Sequence, residues 1–406
     1  MMLRVLRNRC RSAAAIVAIV MCLSLLAGCL PEEVEPTNVV EPPNAWVYGG
    51  DARDGAKAIR QTEDGGYIVA SYTITDDSSY DDARLFKTDA SGEEVWSTSC
   101  GTGYWDGTWA LQQTADGGYI FAAGGQVDLV KTDGNGEEEW SQTFGDCRGF
   151  AAVQETADGG YICAGSGWNA DNMSVDTCLL KTDEDGNETW SHSFPFSSVA
   201  IADYEYTESL LLASDGGYVI AANIEPMPGF YGLTNPACVY VVRANASGEL
   251  VWDEFLRGTP YRSVCALYET ADGGYVVAGH HVSIVPGHPL QRTRGPYFRK
   301  MDRAGNLVWE RTLNEVHGGM HTMCTTADGA HVLAGGDTWH PSPDSDSSVS
   351  VIVVVKVTAE FALLWETALG DPSYDLGVAS VAPTSDGGCV LAGEIRYPET
   401  GGRHAV

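Results

Sequence analysis

Between Asp64 and Trp96 the chain reads DGGYIVASYTITDDSSYDDARLFKTDASGEEVW. The paired glycines after Asp64 tolerate φ > 0 and reverse the chain in a tight hairpin. Residues 67–70 (YIVA) are aromatic and β-branched, as strands prefer to be. A further apolar run, LFKT, ends at a second turn, Asp89-Ala90-Ser91-Gly92, and the segment beyond it carries Trp96. This stretch is a meander of short strands.

Outward from it, the same order recurs. The Asp-Gly-Gly turn begins at Asp64, Asp116, Asp158, Asp215, Asp272, Asp328 (where Ala330 replaces the second Gly) and Asp386. A Trp precedes each turn by 18 to 25 residues: Trp46, Trp96, Trp140, Trp190, Trp252, Trp309 and Trp365. Seven units of about 42–58 residues, each with four short strands, predict an all-β, seven-bladed β-propeller of four-stranded antiparallel blades. Six residues after every turn Asp stands Ala (Ala70, Ala122, Ala164, Ala221, Ala278, Ala334, Ala392), followed by Gly, Ala or Ser. Small side chains there let neighbouring sheets approach near an axis, and the Trp supplies bulk at the periphery. A buried indole removes about 150–250 Å² from water, roughly 4–6 kcal/mol before ordering entropy. The chain opens with an outer-strand fragment at Trp46 and ends with first and second strands near 377–384 and 387–394. The N-terminal strand is therefore expected to close the ring, with the last blade incomplete at its third strand.

The unit DGGYIVA…LxKTDxxGxxxW resembles the secreted β-propeller repeats of bacterial and archaeal surface proteins. It is more loosely similar to the tryptophan-docked blades of quinoprotein dehydrogenases. That second resemblance implies docking of each Trp near a following Gly, such as Gly101, Gly145 or Gly370. A quinone-dependent dehydrogenase is disfavoured, because no two Cys are adjacent.

The first residues form an address. Arg4, Arg7, Arg9 and Arg11 precede an apolar run over 13–27, too short to span a bilayer comfortably and ordered like a secretory signal. Leu26-Ala27-Gly28-Cys29 resembles the lipobox, which implies cleavage before Cys29 and a lipid on its thiol. The expected organisation is a signal over 1–28, an acidic Pro-rich tether over 29–44 and the propeller over 45–406. The expected location is the cell envelope, on the outer side of the cytoplasmic membrane or in the outer membrane.

Acidic residues outnumber basic ones 55 to 24, for a formal charge of −31, which repels phosphate backbones and argues against nucleic acid. Such a surface also suits high salt. Only six residues are Lys, and five occupy one column of the repeat with Arg243: Lys87, Lys131, Lys181, Lys300 and Lys356. These are expected to form ion pairs between blades. Eight Cys follow Cys29, and Cys163 with Cys178, on adjacent strands, are the best-placed pair; free buried thiols are the alternative.

Turns on one face are uniform, while the connections on the other (101–109, 166–177, 191–206, 223–237, 280–297, 337–350) vary, as recognition loops do. Three groups there are candidate site residues. Tyr104, Trp105, Trp109, Trp168 and Trp339 either stack on a ligand or plug the loops. His280, His281, His288, His317 and His321 cluster in sequence near Asp337; a divalent metal is chemically reasonable, although no tight ligand motif is present. Ten residues before successive turn Asp stand Asp54, Asp106, Arg148, Glu205 and Arg262, an expected charged channel mouth. The reading is a lipid-anchored, non-catalytic module binding a protein or polysaccharide, with no cofactor. The alternative is a hydrolase or lyase acting on an extracellular polymer.

Overall fold

The computed structural model describes residues 15–19, 39–40, 45–48, 53–74, 81–100, 108–123, 128–145, 147–169, 174–195, 203–226, 238–256, 261–285, 288–339, 349–371 and 375–396. Among the described residues the regular structure is all strand, with no helix. Four consecutive antiparallel strands make each blade. Blade one runs through Arg53–Gln61, Tyr67–Ile74, Asp81–Thr88 and Glu94–Cys100. Blades two to six begin with Thr108–Gln113, Arg148–Glu155, Asp203–Leu212, Tyr261–Glu269 and Gly319–Thr325, and end with Glu138–Gln142, Glu188–Phe194, Leu250–Leu256, Leu307–Thr312 and Leu363–Leu369. First strands of successive blades touch one another, and Asp375–Pro383 touches those of both blade six and blade one. The sheets therefore form a ring with the first strands innermost.

Among the described residues six blades of this kind are present, which corrects the expected seven. The remaining sheet is composite, in the order Asp375–Pro383, Cys389–Arg396, Ala15–Ile19, Trp46–Tyr48. Its third strand comes from inside the expected signal segment. Val39–Val40, within the expected tether, adds in parallel to the outer strand of blade six.

Burial follows position in the blade. Second strands lie between neighbouring sheets on both faces, so Tyr119–Ala123 is buried throughout and reads as continuous apolar sequence. Outer strands are exposed except at the Trp and its alternates. The Asp-Gly-Gly hairpin has a three-residue loop: Thr62 N donates to Gly66 O at 2.9 Å, and Gly65 takes φ 80°. The second glycine makes room. A Cβ on Gly66 would run into Lys87 Nζ and Thr88 O.

That vacancy explains a correction. The repeated Lys do not bridge blades; each reaches across the glycine to the turn Asp of its own blade. Lys87–Asp64, Lys131–Asp116 and Lys356–Asp328 are 2.8 Å apart, Lys181–Asp158 is 3.0 Å, and Arg243–Asp215 and Lys300–Asp272 repeat the pairing. Hydrogen bonds from Lys356 and then Thr326 hold the Asp328 carboxyl down to about 2.

The Trp column does bridge blades, but not at the glycines expected. The indoles of Trp46, Trp96, Trp140, Trp190 and Trp252 each cover the Gly of the next blade's turn, beside the Tyr that starts its second strand. Trp140 lies on Gly186 and 5.7 Å from Tyr161, and Trp96 on Gly136 and 5.8 Å from Tyr119. Trp46 docks likewise on Gly92 in blade one. A Cβ on Gly145 would meet nothing, so no indole lies against it. The interface between blades five and six departs from this rule: the turn residue is Phe361 at φ 62°, and the Tyr is replaced by His331, which stacks on Phe361 at 4.5 Å. One disulfide is present among the described residues, Cys147–Cys178, with Cα atoms 5.8 Å apart. The expected partner Cys163 is a buried free thiol, because it faces Leu180 while Cys178 faces Gly165, two positions away.

Candidate functional site: the axial channel

Every first strand carries an irregularity at one place. Pairing skips a residue between Ala56 and Ala58, Thr108 and Ala110, Thr207 and Ser209, Val264 and Ala266, Met320 and Thr322, and Val378 and Ser380, and skips three in blade three between Arg148 and Ala152. These β-bulges fall seven residues before the turn Asp. The small residues after the Ala column belong to them. A Cβ on Gly279, Gly335 or Gly393 would strike the carbonyl of Ser263, Gly319 or Gly377 on its own sheet's first strand. The column is small to admit the bulged backbone within each blade, a reason distinct from the expected approach of neighbouring sheets.

A bulge re-aims a side chain. The skipped residues Lys57, Ala151, Glu208, Cys265, His321 and Ala379 all line one cavity of about 950 Å³ on the ring axis, and Trp109 holds the matching place in blade two. Arg60 and Met323 line it further along their strands, and Tyr206 lines it at the start of the strand in blade four. Lys57 Nζ lies 5.2 Å from the centre of the Tyr72 ring. Glu208 accepts from Asn223 Nδ2 at 3.1 Å, and Asn223 is fixed by both backbone groups of Val264 in blade five. Burial, and then the Glu208 carboxylate, push the Cys265 thiol well up, so it is not poised as a nucleophile. Burial and the neighbouring Arg294 lower the His321 pKa.

The expected site residues fare unevenly. Tyr104, Trp105 and Asp106 lie outside the described residues, as does Cys29. Trp109, Trp168 and Trp339 stand on strands of blades two, three and six, the latter two opposite Val175 and Val349. His280 and His281 are not in a loop: both sit on Tyr275–Val285, buried, in a hairpin that continues to His288. His280 and His321 do converge across blades five and six, with ring centres 6.0 Å apart, and His280 Nδ1 donates to Met320 O. Burial is the main cause lowering His280 to about 4. His317 is exposed on the turn before Gly319. No three potential ligands meet in a metal-binding arrangement among the described residues.

Of the charged column ten residues before the turn, Asp54, Arg148 and Arg262 are not among the residues that line the channel. Asp54 is 3% exposed, Arg148 donates to Phe144 O and Gly145 O, and Arg262 pairs with Glu310 over the Tyr297 ring. Glu205 stands opposite Ile224. Counting back from the turn fails here because one inserted residue sends every earlier side chain to the other face. In the sequence the column seven before the turn is less uniform than the columns on either side of it, and that variation is the signal that marks the bulge.

No protein-family model matches the chain, and no curated protein matches it. Solved structures resemble it in fold. The WD40 domain of Pan2 from Neurospora crassa superposes with a TM-score of 0.52 at 12% identity, over 85% of this chain and 90% of that one. A catalytically inactive virginiamycin B lyase from Staphylococcus aureus, solved with quinupristin, gives 0.51 at 11% identity over 85% and 96%. A streptogramin B lyase gives 0.50 at 13% identity over 84% and 93%. At these identities the likeness establishes a β-propeller fold and nothing finer.

Proposed function

We propose that the chain is a non-catalytic binding module of the cell envelope, held by a lipid on Cys29 once cleavage there has withdrawn Ala15–Ile19 from the composite sheet, that receives a protein or polysaccharide ligand at the axial channel and the variable face around it. One observation carries this reading. The turn Asp, the docking Trp and the column Ala are nearly invariant from unit to unit, yet the bulged position places Lys57, Glu208, Cys265 and His321 in one shared cavity. Stability demands the uniform columns; it makes no demand for different chemistry at each bulge. Recognition on a rigid scaffold does.

The test is capture from arrayed glycans and envelope proteins by the full-length protein. A ligand retained by the native chain and released by Ala379→Trp, which fills the channel without changing its charge, is the expected result. Capture that ignores channel substitutions removes the channel from the reading. Anchoring is tested separately: Cys29→Ser should abolish incorporation of labelled fatty acid.

A further inference from the structure

Basic side chains are scarce in this protein, and their placement is selective. Five of its six Lys are held by turn carboxylates. The sixth, Lys57, lies at the bulge of blade one, and Arg60 follows three residues later on the same strand; both line the channel. Among the described residues, Glu208 is the only acidic side chain of that lining. It stands on blade four, across the ring, and accepts a hydrogen bond from Asn223. The interior of the channel thus reverses the sign of a chain whose formal charge is −31.

We infer that the blade-one wall of the channel is an oxyanion site, at which Lys57 and Arg60 receive a carboxylate or phosphate group of the ligand. The inference rests on the binding reading above and specifies the chemistry it selects. Arg60 lines the channel and is exposed, with Nη1 donating to Ile59 O at 2.7 Å. A planar fork of donors suits two oxygens of one anion, and the ammonium of Lys57 adds a point charge.

An unusual salt response follows. The acidic surface repels a small anion at long range, but charges more than about 10 Å away are screened at 0.1 M salt. Contact pairs inside the channel are screened less. Affinity is therefore expected to rise about threefold between 10 and 150 mM salt, whereas an ordinary surface ion pair weakens.

The experiment is modification of Arg60 by phenylglyoxal in the full-length protein, read at the Arg60 peptide by mass spectrometry. Inorganic phosphate and succinate are the two probes, and glycerol is the neutral control. Saturating anion should slow modification at least about fivefold, and the more protective probe identifies the preferred group. Lys57→Gln should raise the half-protecting concentration about fivefold or more. Glu208→Gln should lower it, an opposite change that damage to the fold would not produce. Arg84, paired with Glu94 at 2.9 Å outside the channel, should react alike with and without anion. Absence of protection by either probe, or protection indifferent to Lys57→Gln, overturns the oxyanion site. A captured partner indifferent to Lys57→Gln would overturn it while leaving the binding module intact. Anion protection with no partner captured would keep the site and remove that module.

Discussion

The six blades and the composite sheet solve the same packing problem with different means. In each blade the Trp stands directly opposite the Lys or Arg of the third strand, which faces the fourth residue after the turn Asp, as in Trp190–Lys181–Ile162. In the composite sheet Trp46 is opposite Ala18, and Ala18 is opposite Ala392, the sixth residue after Asp386. The register is offset by two. An even slip leaves every side chain on its original face, so hydrophobic patterning does not resist it. What pins the register in the blades is the cation reaching its turn Asp, together with the Asp-x-x-Gly turn that fixes the next strand. The strand Ala15–Ile19, with sequence AIVAI, brings no cation. Alternation alone decides which face is buried; a polar contact decides how far the strand slides.

The comparison can be broken most forcefully at the docking Trp. Trp140→Ala removes an indole packed on Gly186 and Tyr161, and should cost about 3–5 kcal/mol by denaturant unfolding. Trp365 packs toward the composite sheet, where Cys389 takes the place of the Tyr, so Trp365→Ala should cost less. Equal costs would erase the distinction. Blade three has a further constraint in Cys147–Cys178, which spans 31 residues. Replacing both with Ser should cost about 3–4 kcal/mol and lower the melting temperature in non-reducing buffer.

The interface between blades five and six gives a pH test. Burial lowers His331 to about 4 from an ordinary value of 6.5, and its Nε2 has no partner. The unfolded chain therefore binds the proton more readily. Stability contributed by neutral His331 is complete above pH 6.5 and is lost as pH falls through that range toward 4, by about 3 kcal/mol in full. His331→Tyr introduces the residue found at five of the other interfaces and should flatten this part of the profile; an unchanged slope would assign it elsewhere, with buried His280 the first suspect. The smallest effect is expected at the ion pairs. Asp158 is largely exposed, so Lys181→Met, which retains the stem, should change stability by about 1 kcal/mol or less, as measured by melting. A much larger loss would mean that the pair holds the fold as well as the register.

The repeat was legible in the sequence because its signals are local. Asp-Gly-Gly and Asp-x-x-Gly turns need positive φ within three residues of an Asp, and the strands between them are too short and β-branched to be anything else. The Lys column was equally visible, but its partner was not. Only the empty space beside Gly66 shows that the ammonium turns back within its own blade. The channel was expected at the position of Asp54 rather than that of Lys57, because a bulge has no composition of its own beyond the small residues around it.

By itself, then, the sequence determined the blade: where the chain turns, which strand is buried on both faces, and that indoles lock one unit to the next. These follow from backbone sterics and burial, which act over a few residues. Tertiary structure decided what faces the axis, which cysteine pairs with which, and which segment occupies the third place of the composite sheet. Those outcomes depend on register and on neighbours distant in the chain, where a single inserted residue or a slip of two changes every contact while leaving the pattern of apolar and polar residues the same.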